Sequence, residues 1–314
     1  MTRRRSLAVA AGAALLVGAL TFLVVRRDGP DAEPSARTTS TSAPRTSVSA
    51  PPSPTSAPDT TSEDTVTTTE PVRRDYPWHT NIVATTFWVG ELFDETLADG
   101  SQVCSTYDSQ WAYHWSGIDR GRVPDDAPGC AGAILGGCDG IWTAGGRCET
   151  EPRTAENDFF PSSATPLENP FYLDLPYDDL HDPIGFARRC EVIPWAHDPG
   201  YDGRCGDRTF SFMKNRWVRI VGPNGATCYG QIQDAGPSHD DLYHDVEYVF
   251  GADDARPRQR RFNNAGMDVS PAINGCLGFR DLDGARDRVS WQFVERADVP
   301  DGPWTRIETV SGVT

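Results

Sequence analysis

The sequence predicts a mainly β domain with few, short helices, and three observations predict it. Beyond residue 75, apolar side chains recur mostly in short alternating runs, the period of a half-buried strand. Two such runs, Trp217 to Val221 and Thr227 to Gln233, flank Pro223-Asn224-Gly225, a strong hairpin signal. Convincing helix signals are scarce, the clearest being Ser270-Pro271 ahead of Ala272-Ile273-Asn274-Gly275-Cys276-Leu277.

The first elements precede the domain. Arg3-Arg4-Arg5 stand before an apolar run of 19 residues, Leu7 to Val25, closed by Arg26-Arg27. At about 1.5 Å per residue a helix of that length crosses a bilayer. A cleaved signal usually has a shorter apolar core and a small-residue cleavage site, whereas this run continues through Thr21-Phe22-Leu23-Val24-Val25 into the arginines. Residues 1–27 are therefore expected to be an uncleaved signal anchor or transmembrane helix, with a cleaved signal peptide as the alternative. The leading arginines favour a cytoplasmic N-terminus. Residues 28–75 are dominated by Ser, Thr, Pro and Ala and lack the apolar surface that offsets ordering entropy. They are expected to form a disordered linker that spaces the domain from the membrane.

The domain itself spans residues 76–314. Ile82 to Val89 is β-rich and ends at Gly90, and Phe171-Tyr172-Leu173-Asp174-Leu175 alternates and ends at Pro176. Cys190-Glu191-Val192-Ile193 reads as a short strand before Pro194, and a weaker helix is expected over Pro183 to Arg189. In the last strand, Val289, Trp291 and Phe293 alternate onto one face. Ser270 is the expected N-cap, Pro271 the first helical residue and Gly278 the stop. Residues 109–170, rich in Gly, Pro, Asp and Trp, read as a large disulfide-stapled insertion.

All eight cysteines lie beyond residue 100, an even count behind an export signal, which predicts disulfides in an oxidising compartment. Cys138–Cys148 and Cys190–Cys205 each close a short Gly- and Asp-rich loop. Cys228–Cys276 is the long-range option, tying the central hairpin to the helix after Asp268. Cys104 and Cys130 complete the set, and spacing alone does not fix the connectivity. No Cys/His group has zinc spacing. Asp281-x-Asp283-Gly284 resembles a calcium loop, but its twelfth position is Gln292 rather than Glu. His239-Asp240 and His244-Asp245 read as a solvated acidic loop. No metal and no cofactor are expected. Beyond residue 75 there are 20 Lys and Arg against 37 Asp and Glu, a poor fit to nucleic acid or to an anionic membrane surface. A monomer that meets the membrane only through its N-terminal helix is expected.

Gln231-Ile232-Gln233-Asp234-Ala235-Gly236-Pro237, Met267-Asp268-Val269-Ser270-Pro271-Ala272, Leu277-Gly278 and the last Val-x-Trp-x-Phe-Val strand together resemble the double-psi β-barrel. The nearest pattern is that of rare lipoprotein A domains, with expansins, barwins and family-45 glycoside hydrolases as cousins. Ala84 to Gly90 is similar to the family's opening strand. The resemblance covers about 100 of the domain's residues, mainly 214–295. It implies a six-stranded barrel with a groove across one face, and an aspartate at the position of Asp268 facing a polysaccharide. The sequence departs from the family pattern in three places. Ala235 replaces the Arg of Asp-Arg-Gly-Pro, Gly266-Met267 replace His-Phe, and no His precedes the central hairpin.

Glycan cleavage needs a carboxylic acid to protonate the leaving oxygen, and the hydrolytic form needs a second carboxylate. Asp268 is the expected acid/base. The second member is Asp234, or Asp108 in Ser105-Thr106-Tyr107-Asp108, which resembles the Tyr-Trp-Asp of family-45 enzymes. The bland alternatives are that Asp268 caps the following helix and that Asp234 shapes its turn. Trp111, Tyr113, Trp115 and Trp88 are the candidate sugar-stacking aromatics. The expectation is a cell-envelope domain that recognises polysaccharide and cleaves it as a lytic transglycosylase or glycosidase. The alternative is a non-catalytic carbohydrate- or protein-binding module.

Overall fold

The computed structural model describes residues 74–91, 102–126, 129–238, 242–282 and 286–314. The expected anchor, nearly all of the linker, His239, Asp240 and Asp283 lie outside them. Among the described residues, no helix is long and apolar enough to cross a membrane.

Six strands close into one barrel: β1 (His79–Thr86), β2 (Tyr172–Leu175), β3 (Trp217–Val221), β4 (Thr227–Ala235), β5 (Ala265–Val269) and β6 (Asp287–Val294). Their order around the barrel is β1-β6-β3-β4-β2-β5, with β5 returning to β1. The sheet is mixed. β1 runs parallel to β5 and β2 parallel to β4, and the four remaining pairs are antiparallel. Closure leaves no unpaired sheet edge among these strands. Alternation fills the interior: Val218, Ile220, Ile232, Met267, Val269, Val289, Trp291 and Phe293 are all buried.

The hairpin of β3 and β4 turns at Pro223-Asn224-Gly225 as its residues predict, with Gly225 at φ 83° and Val221 opposite Thr227. The helix at Pro271–Leu277 also forms where its caps place it. Ser270 Oγ accepts from the Ile273 N–H at 3.3 Å, and Gly278 ends the helix at φ 70°. Ser270→Ala is expected to lower unfolding free energy by about 1 kcal/mol in urea titration, the usual size of a lost N-cap.

One local reading needs correction. Cys190 to Val192 is not a strand; it is the end of a helix at Pro183–Val192, longer than expected. Asp182 accepts from the N–H groups of Ile184 and Gly185, and Pro183 fits the first turn. That strong start outweighs a β-branched run too short to find a partner strand. The helix packs closely, since a Cβ at Gly185 would stand 2.1 Å from the Asp178 carbonyl.

The region 109–170 is also more ordered than its composition suggests. It holds a short helix at Trp111–Ser116 and two small hairpins, Gly121–Arg122 with Ile134–Leu135 and Ile141–Trp142 with Cys148–Glu149. Phe87, Val103, Trp111, Trp115, Val123 and Tyr172 form a second core there. Beneath it, Arg153 donates to Asp139 at 2.6 Å and the Tyr172 hydroxyl donates to Asp139 at 2.8 Å. Four disulfides join Cys104–Cys130, Cys138–Cys148, Cys190–Cys205 and Cys228–Cys276. The last ties β4 to the Pro271–Leu277 helix.

Candidate functional site

Three adjacent strands each bring one aspartate to a single row. Asp174 of β2 lies opposite Asp234 of β4 on one side and opposite Asp268 of β5 on the other. Asp268 in turn stands beside Thr85 of β1. The row depends on a register shift. Leu173 faces Ile232 while Asp174 faces Asp234, so Gln233 is an extra residue on β4. Without that bulge Gln233 would stand opposite Asp174, and Asp234 would be displaced from the row.

All four side chains line one cleft of about 1040 Å³. Its further walls come from Phe87, from Gln102, Cys104, Ser105 and Thr106, from Gly129 of the insertion, from Asp178 and His181, from Gly236 to Ser238, and from Tyr243 and Phe262. The segment just before the insertion, with Gly129 from within it, thus builds part of the cleft. The Thr106 N–H donates to Asp234 Oδ1 at 2.8 Å, and Cys104–Cys130 fixes the loop that carries it. Gly236 makes room for the central carboxylate, because a Cβ there would lie 2.6 Å from Asp174 Oδ2.

The three carboxyl groups are not equivalent. Asp234 Oδ1 accepts two backbone N–H groups, Thr106 and Ala235, each at 2.8 Å. Asp174 Oδ1 accepts one, from Asp268, at 2.9 Å. Asp268 Oδ1 is enclosed and accepts no hydrogen bond from the described residues, although the residue as a whole is only partly buried in the cleft wall. Burial, then the charge of Asp234, pushes the Asp268 carboxyl up to about 8. Burial raises Asp234 to about 6, against the pull of the Thr106 and Ala235 amides. Asp174 is driven well above the usual range by burial and by the charges of Asp268 and Asp234. Three carboxylates in one desolvated row cannot all ionise together. The shifts place Asp268 above Asp234, so a proton on the row is held by Asp268 in preference to Asp234.

The structure brings Asp268 and Asp234 together and sets Asp108 apart. Asp108 is buried outside the cleft lining, bonded to His114 Nδ1 at 2.7 Å and to Thr314 Oγ1 at 2.6 Å. Its place as the second carboxylate passes to Asp234 and Asp174. Nor does Asp268 cap the helix, since Ser270 does that.

The aromatic expectation is corrected as well. Trp111 and Trp115 are 1% and 0% exposed, sealed in the second core, so they face no ligand. Tyr113 is half-buried beside His114 and does not line the cleft. Trp88 donates its indole N–H to the Cys148 carbonyl at 3.1 Å and lines a separate depression with Glu91, Arg147 and Thr150. The cleft's own rings are Phe87, Tyr243 and Phe262. Phe262 is 55% exposed and held at φ 48° at the start of a turn. His244, in the acidic loop, contacts Asp182 at 3.1 Å.

Asp174 and Phe262 are the site residues that sequence reasoning missed. The only sequence signal at Asp174 was a carboxylate set inside the apolar run Phe171-Tyr172-Leu173-Asp174-Leu175, and the structure buries all four residues of that strand. Comparison with protein-family models finds no match, and comparison with curated proteins finds none either.

Proposed function

We propose that the domain is a double-psi β-barrel of the rare lipoprotein A kind that binds cell-envelope polysaccharide and cleaves it by acid–base chemistry. One observation carries the reading: a row of three aspartates on adjacent strands, Asp174 and Asp234 buried and Asp268 partly so, in an open cleft that also presents aromatic rings. The two parallel pairs in a closed six-stranded sheet are compatible with the proposed barrel type.

In the proposed reaction the Asp268 carboxyl gives its proton to the leaving glycosidic oxygen as the C–O bond breaks. The Asp234 carboxylate takes the proton of the incoming hydroxyl, supplied by water in hydrolysis or by the sugar itself in the transglycosylase form. Asp174 holds the row together by accepting the Asp268 N–H, which makes it a positioning residue. Phe262 and Tyr243 offer faces against which sugar rings stack. Four disulfides support an oxidising, extracytoplasmic setting, reached through the N-terminal segment either as an anchor or as a cleaved signal.

The test is digestion of insoluble peptidoglycan and β-glucan by the purified chain. Release of soluble fragments, lost in Asp268→Asn, is expected, and product chemistry tells hydrolysis from intramolecular transfer. Absence of any release sinks the enzyme reading, and failure to sediment with insoluble wall material removes the binding reading too. The rate should follow a bell in pH, rising as Asp234 ionises near 6 and falling as Asp268 deprotonates near 8. A profile that falls steadily above pH 5 contradicts the assigned roles.

A further inference from the structure

Next to the acidic cleft the molecule carries a basic pocket, which stands out in a chain of net charge −16. It measures about 420 Å³ and is lined by Arg256, Arg260 and Arg288 together with Asn81 and Asn263. Among the described residues no carboxylate lines it. Arg256 donates to the carbonyls of Thr80 and Asn81, Arg260 to those of Pro257 and Gln259, and Arg288 to that of Asn81. These are bonds to neutral acceptors. Among the described residues none of the three guanidiniums forms an ion pair, whereas the neighbouring Arg258 pairs with Asp245 at 3.4 Å. Asp254, the nearest acid to Arg256 along the chain, accepts from the Thr80 N–H and hydroxyl and feels the Arg256 charge without a direct ion pair to it. Each arginine therefore keeps free N–H donors over the pocket.

The pocket is built rather than incidental. Pro257 and Gln259 are buried, and Gln259 donates to the Ala265 carbonyl, so Arg256, Arg258 and Arg260 project outward between them. It also adjoins the cleft. Asn263 lines both, and β1 supplies Ile82 and Val83 to the pocket and Thr85 and Thr86 to the cleft.

We infer that this pocket binds an anionic substituent, a carboxylate or phosphate, carried by the polymer whose backbone lies in the aspartate cleft. The substrate class is then an anionic glycan. Planar guanidiniums suit the oxygens of either group. The inference also answers an electrostatic difficulty, since an acidic domain otherwise repels an acidic polymer. It rests on the glycan reading above.

The full chain is tested for binding to insoluble wall glycan in three forms: native, carboxyl-amidated, and stripped of phosphodiester-linked polymers. Affinity is expected to fall at least tenfold in one neutralised form, which names the source of the charge. An Arg256→Gln/Arg260→Gln/Arg288→Gln variant should lose the same factor on native glycan and nothing further on the neutralised one. The corresponding Arg→Lys triple variant should recover part of it, separating charge from folding. Equal binding of native and both neutralised glycans by the unaltered chain overturns the inference, as does a Gln variant that binds like the parent. Charge discrimination without any cleavage sinks the catalytic reading and leaves the pocket standing. Cleavage without discrimination does the reverse, and no binding to any glycan overturns both.

Discussion

Asp268→Asn is expected to reduce glycan cleavage by about 10²–10⁴-fold, the usual contribution of a positioned general acid, while leaving glycan binding within a fewfold of the parent. The amide keeps the shape and removes the transferable proton. The same substitution is expected to make the domain more stable at pH 7, which a purely structural aspartate would not do. The sign follows from proton linkage. An aspartate has an unfolded pKa of about 3.9, and folding raises Asp268 to about 8. Between those values the folded state holds a proton that the unfolded state has released, so stability falls as pH rises across the window. At pH 7 the gap is worth at most roughly 4 kcal/mol, from 1.36 kcal/mol per pKa unit. Asn lacks this cost. Urea titrations of parent and variant should agree near pH 4 and diverge by about 1–3 kcal/mol at pH 7 to 8, in the variant's favour. Asp174 and Asp234 are shifted in the same direction, so the parent should be most stable in mild acid. A variant that loses stability at pH 7 and keeps its rate shows Asp268 to be a packing residue.

Removing the Cys228–Cys276 bridge is the second large effect. It spans 48 residues of sequence and joins β4, which carries Asp234, to the helix that directly follows Asp268. In the chain-entropy model a closed loop of that length is worth about 4 kcal/mol. Cys138–Cys148 spans 10 residues, for which the same model gives about 2.7 kcal/mol. Paired Cys→Ala variants, measured by urea unfolding without reductant, should therefore rank with the Cys228–Cys276 variant weaker by about 1 kcal/mol. The reverse order contradicts the view that this bridge frames the site. Loss of the bridge should also lower the rate of glycan cleavage in the fraction still folded, because the Asp234 and Asp268 strands are then less firmly held.

How far the sequence was legible follows the range of the interactions involved. The hairpin at Pro223-Asn224-Gly225, the helix capped by Ser270 and the Val289/Trp291/Phe293 face are specified by neighbours in sequence, and each appears where its residues place it. Asp268 and Asp234 were visible through motif resemblance. Asp174 was not, since its standing comes from two pairing partners, 60 and 94 residues downstream, and from a bulge at Gln233. The tryptophans misled for a related reason. Trp111 and Trp115 sit in a stretch without periodicity, yet disulfides and the Asp139–Arg153 pair give that stretch a core of its own. The strand expected over Cys190 to Ile193 lost to a helix start eight residues earlier at Asp182, a contest the local run of β-formers could not reveal. The arginine pocket gathers residues from β6, β1 and the loop before β5, so only the folded chain displays it.

The central claim is that one carboxyl of the aspartate row remains protonated at neutral pH in an open cleft. It is tested most directly by titrating the Asp268 side-chain carboxyl in the folded chain by ¹³C NMR, with Asp268→Asn used to assign the resonance. The account predicts a midpoint near 8, moving downward when Asp234→Asn removes the neighbouring charge. A midpoint near 4, unmoved by Asp234→Asn, would contradict it.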